Sequence, residues 1–136
     1  MLCIYAGGWN GKRSHGRLFQ IRKKIMNEEL VLKALKKSWS LESCSLWTEE
    51  NPAKGQCSVT SLVINDNFGG EILKTKLQNG QWHFYNSING KRFDFTSSQF
   101  KNEIEYLDIR SNREEAFQDT NESQYEYLLH KFGKFY

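Results

Sequence analysis

The chain of 136 residues has little proline, little cysteine and little net charge. It has a single proline, Pro52, so loops rather than proline breaks must end its helices and strands. Its three cysteines, Cys3, Cys44 and Cys57, are odd in number and form no CxxC pair. That argues against a disulfide framework and against a zinc site, so no metal is expected. No apolar stretch approaches the roughly 18 residues that a membrane span needs. The net charge of +3 is too weak to indicate nucleic-acid binding. The first residues, "MLCIYAGGWNGKRSHGRLFQ", place a short apolar piece before the basic residues, the reverse of a signal peptide. A reducing cytoplasm is the expected location. Oligomeric state has no signal in the sequence.

What is plentiful is aromatic side chain, 14% of residues, with 38% hydrophobic in all. A chain of this size and composition can bury a core without metals or disulfides. Residues 1–25 differ from the rest. They carry Lys12, Arg13, Arg17, Arg22, Lys23 and Lys24 and no acidic residue. They read as a basic leader, disordered or peripheral, followed by one domain over residues 26–136.

From Asn27 to about Trp39 the apolar residues recur at helical spacing, with Asn27 as cap; Leu32, Leu35 and Trp39 form the stripe and Leu30 and Val31 widen it. A loop follows, and then a helix from Gln56 or Cys57 to Asn67, ended by Gly69-Gly70. Asn79-Gly80 and Asn89-Gly90 are two hairpin turns, so three strands form an antiparallel meander. Thr96–Gln99 matches a capping box and predicts a short helix. "EIEYLDIR" fits a fourth strand or a helix, and "NREEAFQDT" a polar helix or loop. A last helix is capped by Asn121 and stopped by Gly133. The class is α+β, with helices packed on an antiparallel sheet of three or more strands.

Two-residue turns fix register. With Asn89-Gly90 as the turn, Asn86 faces Phe93, and His83 and Asp94 are diagonal neighbours on one face. The Asp94 carboxylate can then hold one imidazole nitrogen of His83 and free the other, the orienting role in nucleophile–His–acid catalysis. A solvated structural pair would have the same spacing. Cys57 also fits two descriptions. Opening a helix, it meets unpaired N–H groups and a positive dipole end, which favour a thiolate. As a free cysteine, it equally suits the core. The same register logic places Leu73, Leu77, Trp82, Phe84, Phe93 and Phe95 on an apolar face, and His83 and Asp94 on the other. A Cys57 helix packed on the apolar face meets His83 only at the rim of the sheet, through strong twist or with helices covering both faces.

A Cys opening a helix, then His and Asp on successive antiparallel strands, resembles the papain-like and transglutaminase-like (NlpC/P60-type) cysteine enzymes. Those of the papain type place an oxyanion-hole Gln several residues before the Cys, whereas Gln56 here is adjacent to it. At a finer level, "NPAKGQCSVTSLVINDNFGGEILKT", "WHFYNSINGKRFDFTSSQF" and "QYEYLLHKF" resemble the YunG-like family of small bacterial proteins, from about Met26 to Phe132. The resemblance implies Gln56, Cys57, His83, Asn86 and Asp94 as a matched set and no substrate. The expected function is cysteine-nucleophile acyl transfer on a peptide or small amide, as peptidase, amidase or amide transferase. Cys57 would attack, His83 would move the proton and Asp94 would orient His83. Gln56, Asn86 and Trp47 would contact substrate, and no cofactor is needed. The alternative is a catalytically silent module on the same fold that holds a peptide, nucleotide or partner protein.

Overall fold

Asn27 starts the first helix: its side chain accepts the backbone N–H of Leu30, and α1 runs Glu28–Ser38. The computed structural model describes residues 24–136. The expectation of a basic leader therefore lies outside the described residues, apart from Lys24 and Ile25. Among the described residues there follow α2 (Cys57–Phe68), β1 (Glu71–Lys76), β2 (Trp82–Ile88), β3 (Lys91–Phe93), a single 3-10 turn (Ser97–Gln99), β4 (Ile109–Arg110), α3 (Arg113–Phe117) and α4 (Glu122–Phe135). The strands form one antiparallel sheet in the order β3-β2-β1-β4. The fold is α+β, as expected.

The helix α2 is the centre of the core. Every residue from Ser58 to Ile64 is buried, whatever its polarity. Its partners explain this. One side lies on the sheet, where Ile72, Phe84, Ile88 and Phe93 point toward it, the helices α3 and α4 pack against the others, and α1 packs on α4. Buried polar side chains on α2 are hydrogen-bonded: Thr60 accepts from the Trp39 indole at 2.9 Å, and the Ser61 hydroxyl donates to the Ser58 carbonyl at 2.7 Å. Amphipathic α1 buries Val31, Ala34, Leu35 and Ser38. Leu30, expected to widen that stripe, is exposed, because it falls on the solvent side of the turn.

The two hairpins differ. Asn89 and Gly90 both have positive φ, 52° and 78°, and the β2–β3 register is Asn86↔Phe93, as expected for a two-residue turn. The first hairpin closes through Gln78, Asn79 and Gly80: the Leu77 N–H donates to the Gln81 carbonyl at 2.8 Å and the Gly80 N–H to the Leu77 carbonyl at 2.9 Å. This three-residue loop slips the register by one place, to Lys76↔Trp82 and Leu73↔Tyr85. The expected face assignment of β1 is therefore reversed. Ile72 joins Phe84 and Phe93 toward α2, while Leu73 lies with Tyr85 on the opposite face.

That opposite face is covered by the chain from Phe100 to Asp108. Thr75 pins it, donating to the Glu105 carbonyl at 2.8 Å and accepting from the Leu107 N–H at 3.0 Å. Tyr85 donates to Asp108 at 3.0 Å, and Arg92 grips the same carboxylate. The segment ends in β4, which settles "EIEYLDIR" as extended chain and a short strand. Two end signals behave otherwise than expected. Thr96 caps nothing with its side chain, because its hydroxyl is turned to Asp94. Gly133 does not stop α4, which runs on to Phe135; with no positive φ it is an ordinary helical residue.

Gly70 is where the fold tolerates no side chain. Its φ is +75°, and an added Cβ would lie 2.1 Å from the Ser87 carbonyl oxygen. Gly80, at φ +86°, has open space around it. Gly80→Ala should cost about 1–2 kcal/mol, the left-handed penalty alone. Gly70→Ala should cost about 3 kcal/mol or more, since overlap with rigid backbone is added. Denaturant titration of both variants checks this. Equal costs would mean that the helix–sheet joint has slack.

Candidate active site

The sulfur of Cys57 meets the sheet at a gap in its edge. β3 pairs with β2 only from Asn86 to Ile88, so at His83 and Phe84 the strand has no partner on that side. The first residue of α2 fills the gap, and the Phe84 backbone N–H and the His83 ring both act on the Cys57 sulfur to lower its pKa. His83 projects from the face opposite the core, as the register requires, and the contact is made at the rim.

Asp94 holds the other ring nitrogen. Its Oδ2 lies 2.7 Å from His83 Nε2, which leaves Nδ1 for the sulfur. Oδ2 also accepts the Tyr106 hydroxyl at 2.7 Å, while Oδ1 accepts the N–H and hydroxyl of Thr96, each at 3.2 Å. Four donors on one carboxylate fix its plane. Both partners are sealed: the side chains are 1% and 5% exposed. Phe100 meets the imidazole edge-on at 4.8 Å between centroids and Tyr85 stacks on it at 5.8 Å, so the ring has one orientation.

These surroundings set the protonation. Burial alone would lower the pKa of His83, but the Asp94 hydrogen bond and the Cys57 sulfur outweigh it and push the value up to about 9. Burial alone would raise the Cys57 thiol, but the His83 hydrogen bond and charge, helped by Phe84 N–H and Ser58, bring it below the ordinary thiol value. Both shifts favour a thiolate–imidazolium pair over the neutral thiol and imidazole. Burial and the Asp94 carboxylate raise the Tyr106 hydroxyl far above its ordinary value, so it stays a donor.

Cys57 and His83 open into a cavity of about 920 Å³, whose walls include Phe100, Gln99, Trp82, Ser58 and Asp119. The three expected substrate contacts are not on its wall. Asn86 is buried and donates to the Ser61 carbonyl at 3.0 Å, tying β2 to α2. Gln56 is buried beneath the helix start, where its side-chain oxygen accepts the Ser43 hydroxyl at 2.9 Å. Trp47 packs against the core from outside the cavity. Trp82 instead supplies the aromatic wall, 38% exposed, with Lys74 over its ring at 4.4 Å. Sequence reasoning missed Tyr106, Gln99, Ser58 and Asp119. Gln99 accepts the Gly55 N–H through its side-chain oxygen at 3.4 Å, and its amide nitrogen is buried without a partner among the described residues. Only the "TSSQ" signal pointed near it. Cys44 is buried. Cys57 is the free cysteine among the described residues. No cluster that could hold a metal ion occurs among the described residues, nor any helix long and apolar enough to cross a membrane.

Comparison with known proteins gives a family and no activity. Residues 27–135 match the family model described as YunG protein. A curated relative, "Uncharacterized protein YunG" from Bacillus subtilis (strain 168), is 58% identical over 106 residues, covering 78% of this chain and 91% of the relative. No solved structure matches.

The ion pair makes a pH prediction. Iodoacetamide should alkylate Cys57 at a rate that falls as the pH drops through a thiol midpoint below the ordinary 9.0. In His83→Ala the midpoint should move up to or beyond the ordinary 9.0, because the lowering partner is lost and the burial remains. Peptide mapping by mass spectrometry reads both. A wild-type midpoint at or above 9.0 would refute the pair.

Proposed function

For this chain, which belongs to the YunG family, we propose cysteine-nucleophile acyl transfer on a peptide or small amide, with a papain-like arrangement of Cys57, His83 and Asp94. The observation that carries the reading is the imidazole of His83 held by a carboxylate on Nε2 and coupled to the Cys57 sulfur, at the wall of a cavity. A purely structural histidine has no need of a sulfur with a lowered pKa at the first turn of a helix.

The steps follow from the charges. The Cys57 thiolate forms a bond to the substrate carbonyl carbon, and the carbonyl electron pair moves to oxygen. The donor for that oxygen is the Cys57 backbone N–H, which lies in the first turn of α2. The pair returns, the carbon–nitrogen bond breaks, and His83 passes its Nδ1 proton to the leaving amine. The neutral imidazole then takes a proton from water or an incoming amine, which attacks the thioester and releases the thiolate. Asp94 keeps the ring oriented and stabilises its charged form, and Tyr106 and Thr96 keep Asp94 in place. No cofactor enters these steps.

The test needs no natural substrate. p-Nitrophenyl acetate should give a burst of nitrophenolate and an acetyl group on Cys57, located by mass spectrometry. Cys57→Ala should abolish the burst. Asp94→Asn should slow acylation about a hundredfold or more, with the fold retained. A rate unchanged in Cys57→Ala, with no acetyl group on that residue, would contradict catalysis and leave the silent binding module as the reading.

A further inference from the structure

Beside the nucleophile, one carboxylate faces the cavity without a role in the chemistry described. Asp119 follows α3 on the cavity wall, partly buried. Its Oδ2 accepts the Ser58 hydroxyl at 3.4 Å, and the same hydroxyl oxygen lies 3.9 Å from the Cys57 sulfur. The carboxylate therefore stands no farther from the sulfur than those two steps laid end to end. Glu115, also on this wall, is already committed: Lys74 and the Ser111 hydroxyl each bind it at 2.7 Å. Asp119 has only a neutral hydroxyl as its hydrogen-bond partner among the described residues.

This spacing selects a substrate. A carbonyl carbon about to be attacked sits about 3–3.5 Å from the nucleophile. An ammonium bound to a carboxylate sits about 2.8 Å from its oxygen. A carbonyl carbon and an ammonium separated by one carbon atom, as in an α-aminoacyl group, reach both partners within that limit on a bent path. We infer that Asp119 binds the free ammonium of an α-aminoacyl substrate whose carbonyl Cys57 attacks, an inference that rests on the nucleophilic reading of Cys57. The site then removes or transfers a residue with a free amino end, and N-acylated substrates are disfavoured. Burial holds the Asp119 carboxyl above its ordinary pKa, and a bound ammonium would restore its charge.

Two reagents separate this inference from the one beneath it: alanyl chloromethyl ketone and its N-acetyl form. Each forms a carbon–sulfur bond to a thiolate with loss of chloride, so alkylation of Cys57 is scored by mass without turnover. Each rate is divided by the reagent's rate with free cysteine, at about pH 6.5, where the amine is charged. The free-amine reagent should react about tenfold faster or more, and the ratio should fall to near one in Asp119→Asn. If that variant does not fold, Asp119→Ser is judged by the same ratio. Equal normalised rates in the wild type, or a preference that survives in the variant, would overturn the ammonium site while leaving the nucleophile intact. Failure of both reagents to alkylate Cys57 would overturn both.

Discussion

An unfilled strand edge is the constraint from which the rest of the site follows. β3 is only three residues long, and the chain leaves the sheet at Asp94. Had β3 continued, its carbonyls would have taken the N–H of Phe84, and a cysteine at the start of α2 would have met a finished sheet. The short strand leaves that donor for the Cys57 sulfur. Leaving the sheet also frees the Asp94 carboxylate to fold back on His83 rather than stand in a ladder. One truncation thus supplies both the seat for the nucleophile and the orienter of its base.

The surrounding packing serves the same end. His83 and Asp94 are nearly sealed from solvent, which is costly for ionisable groups unless their hydrogen bonds are complete. Here they are completed by Thr96 and Tyr106, and the covering segment that brings Tyr106 is fastened by Thr75, Tyr85 and Arg92. A well-packed apolar replacement of similar volume would stabilise the fold at least as well, so stability alone does not account for this cluster. Helix α2, buried all round, keeps the sulfur in register with the strand: Asn86 ties β2 to the helix through the Ser61 carbonyl one turn beyond Cys57.

How much of this was legible in the sequence depended on the range of the signal. Asn27 and Asn121 announced their helices because a cap is settled within three residues. Asn89-Gly90 gave the β2–β3 register, and with it the His83–Asp94 pair, because both positive-φ positions sit in the turn itself. Asn79-Gly80 misled by one place. The same dipeptide also fits a three-residue loop, and the slip exchanged the faces of Ile72 and Leu73. The meeting of Cys57 with the rim was foreseen only as a requirement, since strand length, not pattern, opens that edge. Tyr106, Gln99 and Asp119 were illegible. Each reaches the site from an irregular segment or a short helix, and only the tertiary path of residues 94–119 brings them there. Gln56 and Asn86 were singled out as polar residues near the cysteine and histidine, and their burial shows what spacing could not: both hydrogen-bond within the protein interior.

The state of the His83 ring is the most direct measure of the whole arrangement. An NMR titration of its ring nitrogens in the intact chain should show protonation persisting to about 9, with Nε2 hydrogen-bonded, and a lower midpoint in Cys57→Ala, where the sulfur no longer supports the charge. A ring that titrates at or below the ordinary 6.5, and does not respond to loss of Cys57, would contradict the ion pair on which the account is built.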